Sequence, residues 1–158
     1  MKITNEQIQK IDQFCKSRPE IIVAYLFGSQ ATGKAGPLSD VDLAFLIDSG
    51  RIEAESRGGY GYHAQLIAEL MKLLGTNDVD VVILNEAPPL LKFKVINRGR
   101  VIFSRSEKER LAIHVKAFNE YQDFRPFLAV QGRYLVDRLK NTEGKGDAPG
   151  APDGSNEQ

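Results

Sequence analysis

Apolar residues change period repeatedly along this 158-residue chain, from helical spacing to continuous runs and back. Ile8, Ile11, Phe14 and Cys15 recur at helical spacing behind Thr4 and Gln7, a capping-box pair, and Arg18-Pro19 stops them. The run Ile21-Ile22-Val23-Ala24-Tyr25-Leu26-Phe27 is apolar throughout and rich in β-formers, which predicts a strand buried on both faces that ends at Gly28-Ser29. A short helical segment broken at Gly36-Pro37 should follow, then a second strand over Val41-Asp42-Leu43-Ala44-Phe45-Leu46-Ile47. Leu66, Ile67, Leu70, Leu73 and Leu74 mark a helix closed by Gly75, and Val79-Asp80-Val81-Val82-Ile83-Leu84 predicts a third strand. Pro88-Pro89 opens a helix through Leu90, Leu91 and Val95 to Gly99, and Val101-Ile102-Phe103 reads as a short edge strand.

The order αβαβαβαβ predicts an α/β (α+β) domain over residues 1–104, with a sheet of about four strands flanked by helices. Residues 105–140 form a C-terminal helical extension packing on that domain or on a partner. Ser106 and Glu109 should cap its long helix, which carries Leu111, Val115 and Phe118 and which Pro126 should interrupt or kink. From Asn141 to Gln158 glycine, proline and charged residues displace apolar ones, which predicts a disordered tail. Residues 48–62 read as a loop excursion, since Gly58-Gly59-Tyr60-Gly61-Tyr62 lacks both the spacing and the preceding strand of a dinucleotide fingerprint.

Composition narrows the function. Lysine plus arginine and aspartate plus glutamate each total 21, so there is no net charge to draw the chain to nucleic acid or to a membrane surface. The single cysteine, Cys15, excludes an internal disulfide and a cysteine-based zinc site; on its apolar helix it reads as a core residue. No apolar run approaches the roughly 18 residues of a membrane helix, and no signal core follows Met1, so a cytoplasmic location is expected. His63 and His114 have no metal spacing and read as surface or packing residues.

The candidate chemistry lies at two strand ends. Ten residues separate Gly28-Ser29 from Asp40-Val41-Asp42. Asp40 and Asp42, two apart on a strand, should project together with Cβ atoms roughly 6 to 7 Å apart. Paired carboxylates against an apolar layer repel one another unless a hard divalent cation, Mg2+ above all, is held between their oxygens. Asp80 opens the next apolar strand and would supply a third carboxylate if the strands are neighbours. Two ions could then be held, with Asp80 also placed to accept a proton from an attacking hydroxyl. Asp78 shares its face but reads as a solvated strand-end residue. Gly28 lets a phosphate approach the backbone, and Ser29 offers a hydroxyl and an amide.

With those residues in place, Leu26-Phe27-Gly28-Ser29 followed by Asp40-Val41-Asp42-Leu43 resembles the signature of the polymerase beta nucleotidyltransferase superfamily, and the small size resembles its minimal nucleotidyltransferase branch. Residues 20–104 carry the resemblance, with Asp80-Val81-Val82-Ile83-Leu84-Asn85 fitting the third-carboxylate segment. It implies a mixed sheet, Asp40, Asp42 and Asp80 as catalytic metal ligands for two Mg2+ ions, and ATP as substrate held by Gly28 and Ser29. The family frequently has arginine shortly after Gly-Ser; this chain has Gln30 and Thr32, so Lys34 is the candidate replacement for a phosphate contact, with a solvated loop lysine as the alternative. Members of this length are often antitoxins of HEPN ribonuclease toxins, and some transfer AMP onto a tyrosine of the toxin. The segment Glu120-Tyr121-Gln122-Asp123-Phe124-Arg125-Pro126-Phe127 resembles their C-terminal part. The implied function is AMP transfer to a HEPN toxin. The alternatives are a non-catalytic antitoxin that acts by binding, or nucleotidyl transfer to a small molecule.

Overall fold

The computed structural model describes residues 2–52 and 60–143. Helix α1 (Asn5–Lys16) begins with the expected box: Thr4 accepts the Gln7 N–H while the Gln7 side chain returns to the Thr4 backbone. Strands β1 (Ile21–Phe27), β2 (Val41–Ile47), β3 (Val79–Ile83) and β4 (Arg100–Ser104) alternate with α2 (Ser29–Thr32), α3 (Tyr60–Leu74) and α4 (Pro89–Arg98), and α5 (Glu107–Glu143) closes the series. The four strands form one sheet in the order β3-β2-β1-β4. β1 pairs antiparallel with β2 and β4, and β2 pairs parallel with β3, so the sheet is mixed and β4 lies on an edge.

Each face of the sheet carries its own core. Ile21, Ala24, Leu26, Leu43, Phe45 and Val81 pack with Ile11 and Cys15 of α1 and Leu66 and Leu70 of α3. Tyr25, Ala44 and Leu46 pack on the opposite face with Val95 and Ile96 of α4 and Ile113 and Ala117 of α5. β1 is apolar at every position because it serves both layers. Its register slips between Ile21 and Val23, which lets Ile22 and Val23 both join the second cluster before alternation resumes.

Four local expectations are revised. α2 stops at Gly33, in the left-handed region at φ 74°, rather than at Gly36-Pro37. The excursion is shorter than residues 48–62: Ser49–Arg51 is a 3-10 turn and α3 already begins at Tyr60. The reason is packing, since Tyr62, Leu66, Leu70 and Leu74 form one buried stripe at four-residue spacing, and the Tyr62 hydroxyl bonds Glu20 at 3.2 Å. Gly58 and Gly59 lie outside the described residues. α5 runs through Pro126 without interruption. Proline there frees the Gln122 carbonyl, but both residues are exposed, so water can satisfy it. The helix continues to Glu143, and the tail beyond it lies outside the described residues.

Two units can be separated, Met1–Tyr121 and Gln122–Gln158. In the second, the Phe124 and Phe127 rings meet at 5.3 Å. In the first, α5 is tied to α4 at residues 120 and 121: Phe93 stacks on Tyr121 at 4.0 Å, and Lys92, only 5% exposed, pairs with Glu120 at 3.2 Å. Truncating Glu120 to alanine strands a buried ammonium and should lower stability by about 1–3 kcal/mol. Lys92→Met, which removes the charge and keeps the stem, should remain near the parent when the two variants are compared by urea titration.

Cys15 is fully buried, and burial pushes its thiol up to about 12. The folded protein should therefore resist Ellman's reagent at mildly alkaline pH and react only when denatured; prompt reaction of the native thiol would contradict this packing. Among the described residues no helix is long and apolar enough to cross a membrane.

Candidate active site

β1 ends where its last residue, Phe27, pairs with Asp42. The chain then turns at Gly28, with φ 68° and ψ −150°, a combination essentially reserved for glycine. The turn needs glycine for a second reason. A Cβ built there would overlap Oδ2 of Asp42 and stand 3.2 Å from its Cγ. Gly28 and the carboxylate therefore abut, and the bare backbone is what lets them. The Gly28 carbonyl accepts from Ala31 and Thr32 to start α2 with Ser29 as its first residue.

Asp42 and Asp80 are direct partners in the parallel register of β2 and β3, so their side chains share a face. That face also carries Ala44, Leu46 and Val82. Asp42 is half-buried and Asp80 exposed. Asp40 is exposed and lies one residue before β2 rather than within it. The Val41 N–H donates to the Asp78 carbonyl at 2.8 Å, which aligns this end of β2 with β3. Burial raises the pKa of Asp42, and the nearby Asp80 and Asp40 carboxylates raise it further.

The structure brings Gly28, Asp42 and Asp80 together, with Asp40 and Ser29 on the adjoining segments. Lys34 is exposed beyond α2 and is tied to the turn by its backbone N–H, which donates to Ser29, rather than by its ammonium. Asp78 is exposed, as its place at the strand end suggested. His63 bonds the Val81 carbonyl at 2.8 Å and is a packing residue. Gln30 emerges with a contact that its place after Gly-Ser hinted at only by being polar: its amide joins Ile3 and Asp40.

The donors suit a hard cation. Among the described residues no three histidine, cysteine, aspartate or glutamate side chains already form a group able to hold an ion. Mg2+ does not require one, since it is commonly bound through one or two carboxylates plus substrate phosphates and water. Asp42 and Asp80, side by side and mutually repelling, match that requirement, and the Gly28 backbone abuts the Asp42 carboxylate.

The profile of the family "Polymerase beta, Nucleotidyltransferase" matches residues 9–108, which span all of β1–β4, and the chain belongs to the polymerase beta nucleotidyltransferase family. Among solved structures, the chain is similar to a toxin-antitoxin crystallised with AMP-PNP, at 25% identity and a TM-score of 0.63 over 84% of this chain and 98% of that one. The MntA-HepT toxin-antitoxin shares the fold at 22% identity and a TM-score of 0.60, over 87% and 99% of the two chains. So does a complex of the tri-AMPylated Shewanella oneidensis HEPN toxin with its MNT antitoxin, with the same identity, score and coverage. No curated protein matches the chain.

Proposed function

We propose that this chain is a cytoplasmic, Mg2+-dependent antitoxin that transfers AMP from ATP to a tyrosine hydroxyl of a cognate HEPN-type toxin. The observation that carries the proposal is the Asp42–Asp80 register pair set against the Gly28 turn, in a nucleotidyltransferase chain. The similar toxin-antitoxin with AMP-PNP and the complex containing an AMPylated HEPN toxin support the choice of nucleotide, partner and reaction.

In this reading Gly28 and Ser29 receive the triphosphate, and Asp40, Asp42 and Asp80 are the metal ligands. The bound cation supplies neutralisation of the triphosphate and of the leaving pyrophosphate. Asp42, half-buried between its neighbours, fixes the inner edge of the site; Asp80, exposed beside it, faces the acceptor. The acceptor oxygen bonds to the α-phosphorus as the bond from that phosphorus to the bridging oxygen breaks. Pyrophosphate leaves, and Asp80 takes the hydroxyl proton. Exposed Asp40, Asp80 and Gly28 leave the site open, which suits a reacting group presented by another protein.

The test pairs this chain with a HEPN-type toxin, the partner that the proposal requires. Label from [α-32P]ATP, and none from [γ-32P]ATP, should appear on that protein in the presence of Mg2+, with mass spectrometry placing one or more adenylyl groups on tyrosine. If the partner is neutralised equally without label, and Asp42→Ala neutralises it as well as the parent, transfer is not the function and occlusion by binding replaces it.

A further inference from the structure

The Gln30 amide spans two segments far apart in sequence. Its Oε1 accepts the Ile3 N–H at 3.0 Å, and its Nε2 donates to the Asp40 carbonyl at 3.3 Å. The orientation follows from chemistry, because a backbone N–H can meet only the amide oxygen and a carbonyl only the amide nitrogen. Ile3 is itself packed against the first core cluster, so one end of the bridge is anchored.

The other end holds a peptide that the site depends on. The Asp40–Val41 peptide is gripped on both sides, its carbonyl by Gln30 and its N–H by the Asp78 carbonyl. Asp40 lies one residue before β2. Gln30 belongs to α2, the turn of helix that follows Gly28 directly. The side chain therefore links the proposed phosphate turn to the backbone of a proposed metal ligand.

From this geometry we propose that Gln30 is a positioning residue: its amide, oriented by Ile3, holds Asp40 in register with the Gly28-Ser29 turn so that cation and triphosphate are bound together. The inference rests on the proposed nucleotidyltransferase site. A related device at the opposite end of β2 provides a comparison. There the Asn85 amide donates to the Ile47 carbonyl at 2.7 Å and accepts the Ile47 N–H at 2.9 Å, remote from Asp42 along the strand.

The experiment titrates Mg2+ at fixed ATP with the full chain and follows the rise in melting temperature. Gln30→Glu keeps an acceptor for Ile3 but replaces the donor that Asp40 needs; Gln30→Met keeps the length and removes both bonds. Each should raise the Mg2+ concentration giving half of the full rise by about tenfold, the loss typical when a group supporting a metal ligand is removed. The melting temperature without ligands should stay near that of the parent. Asn85→Ala should do the reverse, lowering the ligand-free melting temperature and leaving the Mg2+ half-point in place. A parent that responds to Mg2+ and ATP alongside Gln30 variants with an unchanged half-point overturns the assignment to Gln30 alone. So does a pair of Gln30 variants that unfold without any ligand, since the residue would then hold the fold. A parent with no response overturns this inference together with the site it rests on.

Discussion

Replacing Asp42 with asparagine is expected to reduce transfer of AMP by roughly 10²- to 10³-fold or more, the scale of losing one preorganised charge-stabilising group in an active site. The same change should make the ligand-free protein more stable. Burial and the Asp80 and Asp40 carboxylates raise the pKa of Asp42, so its charged form is disfavoured in the folded state. A raised carboxyl pKa means that the folded protein holds the proton to higher pH than the unfolded chain. Stability therefore falls as pH rises from the ordinary aspartate value near 3.8 through the raised folded value, and stays lowered above it. Asparagine removes that penalty. At neutral pH the mutant should melt above the parent without ligand. The difference should vanish at pH values low enough to protonate Asp42 in both states. It should also reverse with Mg2+ and ATP present, because only the parent gains from binding. Equal melting curves for the two proteins, with and without ligand, would contradict the electrostatics described for the cluster.

Gly28→Ala is the second large effect. The Gly28 backbone, at φ 68° and ψ −150°, lies where a side chain costs about 1–3 kcal/mol. The new methyl group would also displace the Asp42 carboxylate, with which it overlaps. Displacement of a reacting group by about 1 Å can cost roughly 10²-fold in rate, so activity should fall by that order even in the molecules that remain folded. The two contributions can be separated. In an Asp42→Ala background the methyl has no carboxylate to meet, and Gly28→Ala should then cost only the backbone strain. A double-mutant cycle in urea showing the same cost in both backgrounds would mean that glycine and carboxylate do not touch.

The fold could be derived from the chain because its signals are local and redundant. β1 is seven apolar residues bounded by Pro19-Glu20 and Gly28, and no other element fits that run. The capping box of α1 is written in Thr4 and Gln7. The α3 start is different: Tyr60-Gly61-Tyr62 follows two further glycines and looks like a loop until the sheet gives Tyr62 a place to pack. Pro126 misled in the other direction, because its cost depends on whether the freed carbonyl reaches water, which only the fold decides.

For the candidate site, spacing placed the carboxylates but not their roles. That Asp42 and Asp80 share a face depends on the parallel pairing of β2 with β3, a relation between segments 38 residues apart in register that no local pattern encodes. The expectation that Asp40 and Asp42 sit on one strand was drawn from a period of two, whereas the strand starts at Val41 and Asp40 is held from outside by Gln30. The contact of Gly28 with Asp42 is likewise tertiary: the sequence shows a glycine after a strand, and only the antiparallel pairing of Phe27 with Asp42 shows what the glycine makes room for.

The most direct measurement is a crystal structure of the chain with Mn2+ and a non-hydrolysable ATP analogue, with anomalous scattering used to locate the ion. An anomalous peak bound by the Asp42 and Asp80 carboxylates is expected, with Asp40 turned toward it and the triphosphate lying along Gly28 and Ser29. Nucleotide bound elsewhere on the chain, or Mn2+ bound away from both Asp42 and Asp80, would contradict it.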